Sequence, residues 1–254
     1  MTDISLVSIN IERAKHYDRI FPFLMHAKPD VICIQELYER DIPKFERELS
    51  GTMMFAAMEN HPTDPPETGF AMEGVGILTT LPVRHHEARY YRGSEAEARS
   101  SVPARGVSNC VALFAEIEKD GVLFTIATTH FTWTPDGRPT DQQRSDILPL
   151  LALLESKGEF VLTGDFNAPR GTEIFTRLAE KYTDNIPPEY VWSLDTKLHR
   201  AMGGKIQADA ASQGMQGYMV DGLFTTKHYE VSNVRLQDGV SDHCAVLGRI
   251  HKRD

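Results

Sequence analysis

Short apolar runs of strand length recur along this chain, and one after another they stop at a polar or ionisable residue. The sharpest stop lies in Val161-Leu162-Thr163-Gly164-Asp165-Phe166-Asn167-Ala168-Pro169, where an apolar run meets a glycine, an acid, an amide and then a proline. Proline removes a backbone donor and fixes φ, so neither a strand interior nor a helix continues through it. Side chains two apart on an extended segment project to the same side, so Asp165 and Asn167 can point into one pocket. An Asx turn closing a buried strand would produce the same residues.

The remaining pattern predicts strands over residues 4–10, 31–34, 51–58, 74–80, 107–118, 122–129, 159–163, 218–225, 230–236 and 244–250. Residues 4–10 alternate, with Ile4, Leu6 and Ser8 on one face and Val7 and Ile9 on the other. Residues 31–34 are apolar throughout, as in a strand covered on both faces. Residues 82–90 read as a hairpin partner of 74–80, and Lys119-Asp120-Gly121 as a tight turn, since glycine accepts positive φ. Helical spacing appears over 17–26 (Ile20, Phe21, Leu24) and 39–49 (Ile42, Phe45, Leu49). It appears again over 141–156, with Ile147, Leu148, Leu151 and Leu154 as the stripe and Asp141 as cap, and over 172–181, capped by Thr172. Loops are expected at 61–69, 131–140, 183–217 and 238–243, and 254 residues without repeat or linker predict a single domain over 1–254.

Composition excludes several classes. No run of about 18 apolar residues exists, and Met1-Thr2-Asp3 leads into a strand pattern rather than a signal peptide, so no membrane span and a cytoplasmic location are expected. Cys33, Cys110 and Cys244 each sit alone within an apolar run, which predicts buried free thiols rather than a disulfide or zinc cluster. The formal net charge of -9 opposes strong binding to duplex nucleic acid. Arg84, Arg89, Arg92, Arg99 and Arg105 against Glu87, Glu95 and Glu97 form the one basic segment, read as a solvated loop or as a lip meeting an anionic substrate.

Asn10, Glu36, His130, Asp165 with Asn167, Asp221, and Asp242 with His243 all stand where an apolar run meets a loop. Sheet scaffolds present functional side chains at such positions. One residue of this kind is an ordinary turn former, but carboxylates, amides and imidazoles at so many strand ends are poorly explained by independent turns. Taken in order, Asn10, Gln35-Glu36, Thr129-His130, Gly164-Asp165-Phe166-Asn167, Asp221 within Val220-Asp221-Gly222-Leu223-Phe224, and Ser241-Asp242-His243 resemble the motifs of the endonuclease/exonuclease/phosphatase superfamily. The resemblance runs from residue 4 to residue 250, and it is the combination of Gly-Asp-x-Asn with Ser-Asp-His that makes it specific.

That resemblance implies an α/β fold, a four-layered α-β-β-α sandwich of two mixed sheets, and a divalent-metal-dependent phosphoesterase, by preference a phosphodiesterase. It implies that Glu36 binds the metal directly with Asn10 and Asp242 nearby, and oxygen ligands favour Mg²⁺ or Mn²⁺. His243 would take a proton from the attacking water or orient it while Asp221 fixes its tautomer, and Asp165 would also position that water; which of the two is the base stays open. Asn167 and His130 would donate hydrogen bonds to the non-bridging oxygens. The implied partner is a phosphorylated substrate: a nucleic acid end, a small molecule or a lipid headgroup.

Departures from better-known branches act by exclusion. The abasic-site endonucleases usually carry tyrosine where Thr129-His130 falls and read more like Arg-x-Asp-Tyr at Met219-Val220-Asp221-Gly222, whereas His130 resembles the secreted nuclease, sphingomyelinase and tyrosyl-DNA branches. The absence of a signal peptide counts against the first two of these. A nuclease or tyrosyl-DNA phosphodiesterase-like end-processing enzyme is therefore the alternative, and a non-catalytic binding module on the same fold is the alternative from another class. Arg105 is read as surface or pocket-facing, Trp133 as a stacking residue or an exposed or half-buried ring, and Asp195 as part of a Trp-x-x-Asp-Thr stretch similar to some tyrosyl-DNA phosphodiesterases. His85, His86, His199, His228 and His251 are expected to face solvent.

Overall fold

The computed structural model describes residues 2–63, 69–100, 109–199 and 217–253; Arg105 lies outside the described residues. In chain order the elements are β1 (Asp3–Asn10), α1 (Tyr17–Ala27), β2 (Val31–Tyr38), a 3₁₀ turn (Glu39–Asp41), α2 (Ile42–Leu49), β3 (Thr52–Pro62), β4 (Phe70–Thr79), β5 (Val83–Arg92) and α3 (Glu95–Ser100). They continue with β6 (Cys110–Lys119), β7 (Val122–His130), α4 (Asp141–Glu155), β8 (Val161–Asp165), α5 (Glu173–Ala179), β9 (Thr183–Asp184), β10 (Asp221–Thr225), β11 (Tyr229–Gln237) and β12 (Ala245–Lys252). The strands form two six-stranded mixed sheets, ordered β11-β12-β1-β2-β4-β3 and β5-β6-β7-β8-β10-β9.

Alternation along the strands assigns each side chain to a layer. Ile4 and Leu6 of β1 pack between the sheets with Val31, Cys33, Val111, Leu113, Ile126, Val161 and Leu223. Their alternates Val7 and Ile9 face outward onto Ile20, Phe21 and Leu24 of α1 and Phe45 of α2. On the second sheet Ala112, Phe114, Leu162 and Phe224 face outward onto Ile147 and Leu150 of α4 and Ile174 and Phe175 of α5. The order helix, sheet, sheet, helix is the four-layered α-β-β-α sandwich. Cys33, Cys110 and Cys244 are buried and free, and no helix among the described residues is long and apolar enough to cross a membrane.

Several local expectations are corrected. Strand β5 pairs with β6 in the second sheet rather than with β4, because both edges of β4 are already taken by β2 and β3. The cap of α4 is Thr140, whose side chain accepts from the Gln143 N–H at 3.2 Å, while Asp141 is the first helical residue. Its buried stripe is Ile147, Leu150, Leu151 and Leu154, which keeps the i, i+3, i+4, i+7 spacing, and Leu148 is 58% exposed. The basic segment is largely strand β5 and helix α3. Its described cations are spent on carboxylates, Arg84 on Glu118, Arg89 on Glu87, Arg92 on Asp146, and Arg99 on Glu39 and Glu95.

Strand β2 does not finish at Gln35-Glu36 but runs to Tyr38, with its pairing to β4 slipping between Ile34 and Leu37. Glu36 sits in that bulge at φ +57°. A bulge bends the strand and re-aims a side chain, which here allows one acidic residue to leave the pleat.

Gly164 shows what closes the second sheet. It has φ +147°, and a Cβ there would lie 2.0 Å from the Thr129 carbonyl oxygen of β7. Parallel pairing sets Thr129 opposite Gly164 and His130 opposite Asp165, so this close approach fixes which polar residues become neighbours. Gly164→Ala is expected to cost about 3 kcal/mol of stability, read as a lower urea midpoint at unchanged slope.

Candidate active site

Strand register assembles the site. On the second sheet His130, Asp165 and Asp221 lie abreast at the adjoining ends of β7, β8 and β10, since Asp165 is opposite both His130 and Asp221. On the first sheet Asn10 ends β1 opposite Gln35, with Glu36 in the adjoining bulge. The loop 238–243 brings Asp242 and His243 to the start of β12. The Asn10 amide joins the two sheets, Nδ2 donating to Glu36 Oε1 at 3.2 Å and to Asp165 Oδ2 at 3.1 Å. Below it Gln35 Nε2 crosses the same gap to Thr128 Oγ1 at 2.9 Å.

Around Asp165 the groups converge. His243 is held at Nδ1 by Asp221 Oδ2, 2.8 Å away, and its Nε2 lies 3.7 Å from Asp165 Oδ2. His130 Nε2 is 3.5 Å from the same oxygen. The other oxygen of Asp165 accepts from the Asn167 N–H at 2.8 Å, an Asx turn that coexists with the site rather than replacing it. Asn167, at φ +49°, donates its side-chain amide to the Phe131 carbonyl at 3.0 Å, so part of its donor capacity serves the loop after His130.

That loop is fastened from α4. Gln143 is fully buried, and its Nε2 donates to the carbonyls of Thr132 at 2.7 Å and Asn167 at 3.0 Å. Asp195 does not reach the centre; it accepts from the N–H groups of Lys197, Leu198 and Gly239 and donates its own N–H to the Asp242 carbonyl at 2.8 Å, which ties down the loop carrying Asp242. Trp133 is 68% exposed. His85, His86 and His228 are exposed, as expected, but His251 is partly buried against Ser232. His199 is a clearer correction: it is partly buried with its ring 6.3 Å from that of His243.

Glu12, Arg13, His16, His61 and Glu73 escaped sequence reasoning. Glu12, two residues beyond Asn10, donates its N–H to Asn10 Oδ1 at 3.0 Å and pairs with Lys15 and His16. Glu73 is buried on β4, beside Glu36, and Arg13 bridges the two, with His61 against the same guanidinium. A signal was present for Glu12, an acid on the loop side of a strand end. Glu73 precedes the small residues Gly74 and Gly76 and so falls just outside the apolar run.

The residues fit a divalent cation. Glu36 Oε2 is buried yet accepts no hydrogen bond, and the Arg13 guanidinium lies 3.2 Å from it. Two further groups, Glu12 with His16 and Asp242, and Asp165 with Asp221 and His243, each offer ligand atoms within 4.8 Å of one another. Carboxylate oxygens and imidazoles at such spacing can hold a divalent ion. Of the expected metal residues, Asn10 and Glu36 come together directly, whereas Asp242 is grouped with Glu12 and His16.

Burial sets the electrostatics. It pushes the Asp242 carboxyl up to about 6 from 3.8, with Glu36 and Glu12 adding repulsion, and the Glu73 carboxyl up to about 7, with Glu36 again adding to it. Burial also works against a charged His243, yet Asp221 and Asp165 outweigh it and raise its pKa well above the ordinary imidazole value. For Glu36 the Arg13 guanidinium and its other neighbours outweigh burial, and its pKa is lowered. Groups whose folded pKa is raised stabilise the fold below their unfolded pKa and lose that contribution as pH rises through the folded value. In the metal-free chain Asp242 is therefore expected to contribute a loss of about 3 kcal/mol of stability as pH rises between roughly pH 4 and 6. Thermal melts in chelator check this, and Asp242→Asn is expected to flatten that part of the profile.

Solved structures of similar shape support the architecture. They include the endonuclease/exonuclease/phosphatase from Bacteroides vulgatus, 15% identical over 100% of each chain with a TM-score of 0.71. The human Nocturnin catalytic domain with bound sulfate anion is 16% identical over 98% of this chain and 93% of that one, with a TM-score of 0.70. A mannosyl-6-phosphatase from Bacteroides thetaiotaomicron is 10% identical over 98% of this chain and 99% of that one, with a TM-score of 0.68. At these identities the likeness concerns the fold. No curated protein matches the sequence. The sequence pattern of the Endonuclease/Exonuclease/phosphatase family, however, matches residues 7–243, a span that holds every polar strand end from Asn10 to His243, and the chain belongs to that family.

Proposed function

We propose that residues 1–254 form one catalytic domain that hydrolyses a phosphate ester, by preference a phosphodiester, with Mg²⁺ or Mn²⁺ as cofactor. The observation that carries this reading is the imidazole of His243 set between Asp221 at 2.8 Å and Asp165 at 3.7 Å. Asp221 accepts a hydrogen bond from Nδ1–H and fixes the ring with Nε2 towards Asp165. In the neutral ring Nε2 carries a lone pair and can act as base; in the cation that the raised pKa favours it is an N–H that donates there, leaving Asp165 to take the proton. A water between these two groups loses a proton to Nε2 or to Asp165 as its oxygen bonds to phosphorus, and the ester P–O bond opposite breaks. His130 and the remaining amide hydrogen of Asn167 donate to the non-bridging oxygens, where negative charge grows.

Asn10, Glu36 and Asp242 would hold the metal, with Glu12 and His16 beside Asp242. Bound there, it supplies positive charge for the phosphoryl and leaving oxygens. The acidity of the chain supports small phosphorylated molecules, lipid headgroups or single-stranded ends over duplexes. A nuclease or end-processing reading finds its support in Trp133, an exposed ring in the loop after His130 on which a base can stack. The likeness in shape to a mannosyl-6-phosphatase brings phosphomonoesters into the test.

The test is turnover with Mg²⁺ or Mn²⁺ against chelator, on a chromogenic phosphodiester, a phosphomonoester, single-stranded and abasic DNA, a 5′-tyrosyl DNA end and a phospholipid. Asp165→Asn and His243→Ala are each expected to lower kcat/KM by about a hundredfold or more on whichever substrate is turned over. Activity that survives both substitutions would place the chemistry elsewhere. No turnover together with no saturable Mg²⁺ binding would favour a non-catalytic binding module.

A further inference from the structure

We propose that Arg13 is a resident counter-ion for Glu36, a positioning residue that holds this carboxylate in place when no metal is bound and competes with a metal for it. The inference rests on the metal reading of Glu36 given above. Its geometric basis does not: Arg13 Nε donates to Glu73 Oε2 at 2.7 Å, and its NH2 group lies 3.2 Å from both Glu36 Oε2 and His61 Nε2. One guanidinium thus gathers side chains from β2, β3 and β4 beside the end of β1. Because arginine only donates, His61 Nε2 must accept, and its Nδ1 then donates to the Pro62 carbonyl at 2.8 Å.

The backbone is arranged to make this contact. Glu12 at φ +42° and Arg13 at φ +63° occupy the left-handed region in succession, and Glu36 is at φ +57° in its bulge. Non-glycine residues adopt this region when the surrounding structure holds them there, so both partners are brought to the contact against local preference. Glu73 is 5% exposed and keeps Arg13 from swinging into solvent.

The consequence follows from charge. Glu36 Oε2, otherwise without a hydrogen bond, is the oxygen that Arg13 faces. A dication arriving at Glu36 is repelled by the guanidinium and must share or displace it. Removing the positive charge at position 13 therefore strengthens cation binding even though it weakens the metal-free fold. Removing the negative charge at Glu73 frees Arg13 to bind Glu36 more completely and weakens cation binding.

The experiment measures Mn²⁺ affinity by calorimetry and metal-free melting temperature for the full chain and its variants. Arg13→Gln is expected to bind Mn²⁺ about tenfold more tightly and Glu73→Gln about tenfold more weakly, a separation of opposite signs that a purely structural role does not produce. Arg13→Lys, which keeps the charge but loses the fork, is expected to retain near-native Mn²⁺ affinity while melting lower. In the metal-free state Arg13→Gln is expected to lower the melting temperature, and a cycle with Glu36→Gln to show that the two residues are coupled. Unchanged or weaker Mn²⁺ binding in a folded Arg13→Gln, or no coupling in the cycle, would overturn the proposal. If neither the native chain nor Arg13→Gln binds Mn²⁺, the metal reading fails and the cycle alone decides the pairing; Mn²⁺ binding gained only in Arg13→Gln supports the competition.

Discussion

Two sheets built from separate parts of the chain must bring their polar ends to the same place, and one amide group spans the join. Nδ2 of Asn10, from the first sheet, donates to Glu36 on its own sheet and to Asp165 on the other. Each hydrogen bond to a carboxylate contributes about 1.5–3 kcal/mol in mutational series, but position matters more here than energy. The apolar contacts between the sheets are not directional and would tolerate small sliding. Hydrogen bonds from Asn10 and Gln35 across the gap do not, and they set the registration that the chemistry requires.

The cost of this arrangement is electrostatic. Asp165, Asp221, Asp242 and Glu73 are buried close together in a chain whose formal net charge is already -9. Buried carboxylates persist only where donors or cations compensate them. Asp165 and Asp221 are met by His130 and His243, Glu73 by Arg13, and the neighbouring Glu12 by His16 and Lys15, each of these cations reaching its carboxylate from a loop or a strand end. A site so organised is better suited to receiving positive charge than to donating it.

How much was legible in the sequence depended on whether a signal was local. The alternation of Ile4, Leu6, Val7 and Ile9 assigned layers correctly because the pleat has period two, and polar residues at strand ends were visible because glycine, proline and charge interrupt apolar runs. Partner choice was not local: residues 82–90 look like the other arm of a hairpin, and only the occupied edges of β4 exclude it. Thr140 and Asp141 are both competent caps, and the frame of the helix decides between them. Glu73 and Arg13 were missed for a related reason. Glu73 adjoins the start of the strand expected over 74–80, where the small residues Gly74 and Gly76 blur the boundary, and its pairing with Arg13 depends on a bulge at Glu36 and two left-handed residues that no periodicity announces.

Strand β5 closes one edge of the second sheet and carries Arg84, His85, His86, Glu87 and Arg89, most of them exposed. Read as sequence, this was part of a basic segment, a solvated loop or a lip meeting an anionic substrate. Placed on a sheet edge, the same residues have a different effect. An unpaired strand is a template for another strand, and a row of charged side chains already engaged in intramolecular pairs makes docking there costly. Its charge acts as a guard against the wrong kind of association, that of one sheet with another.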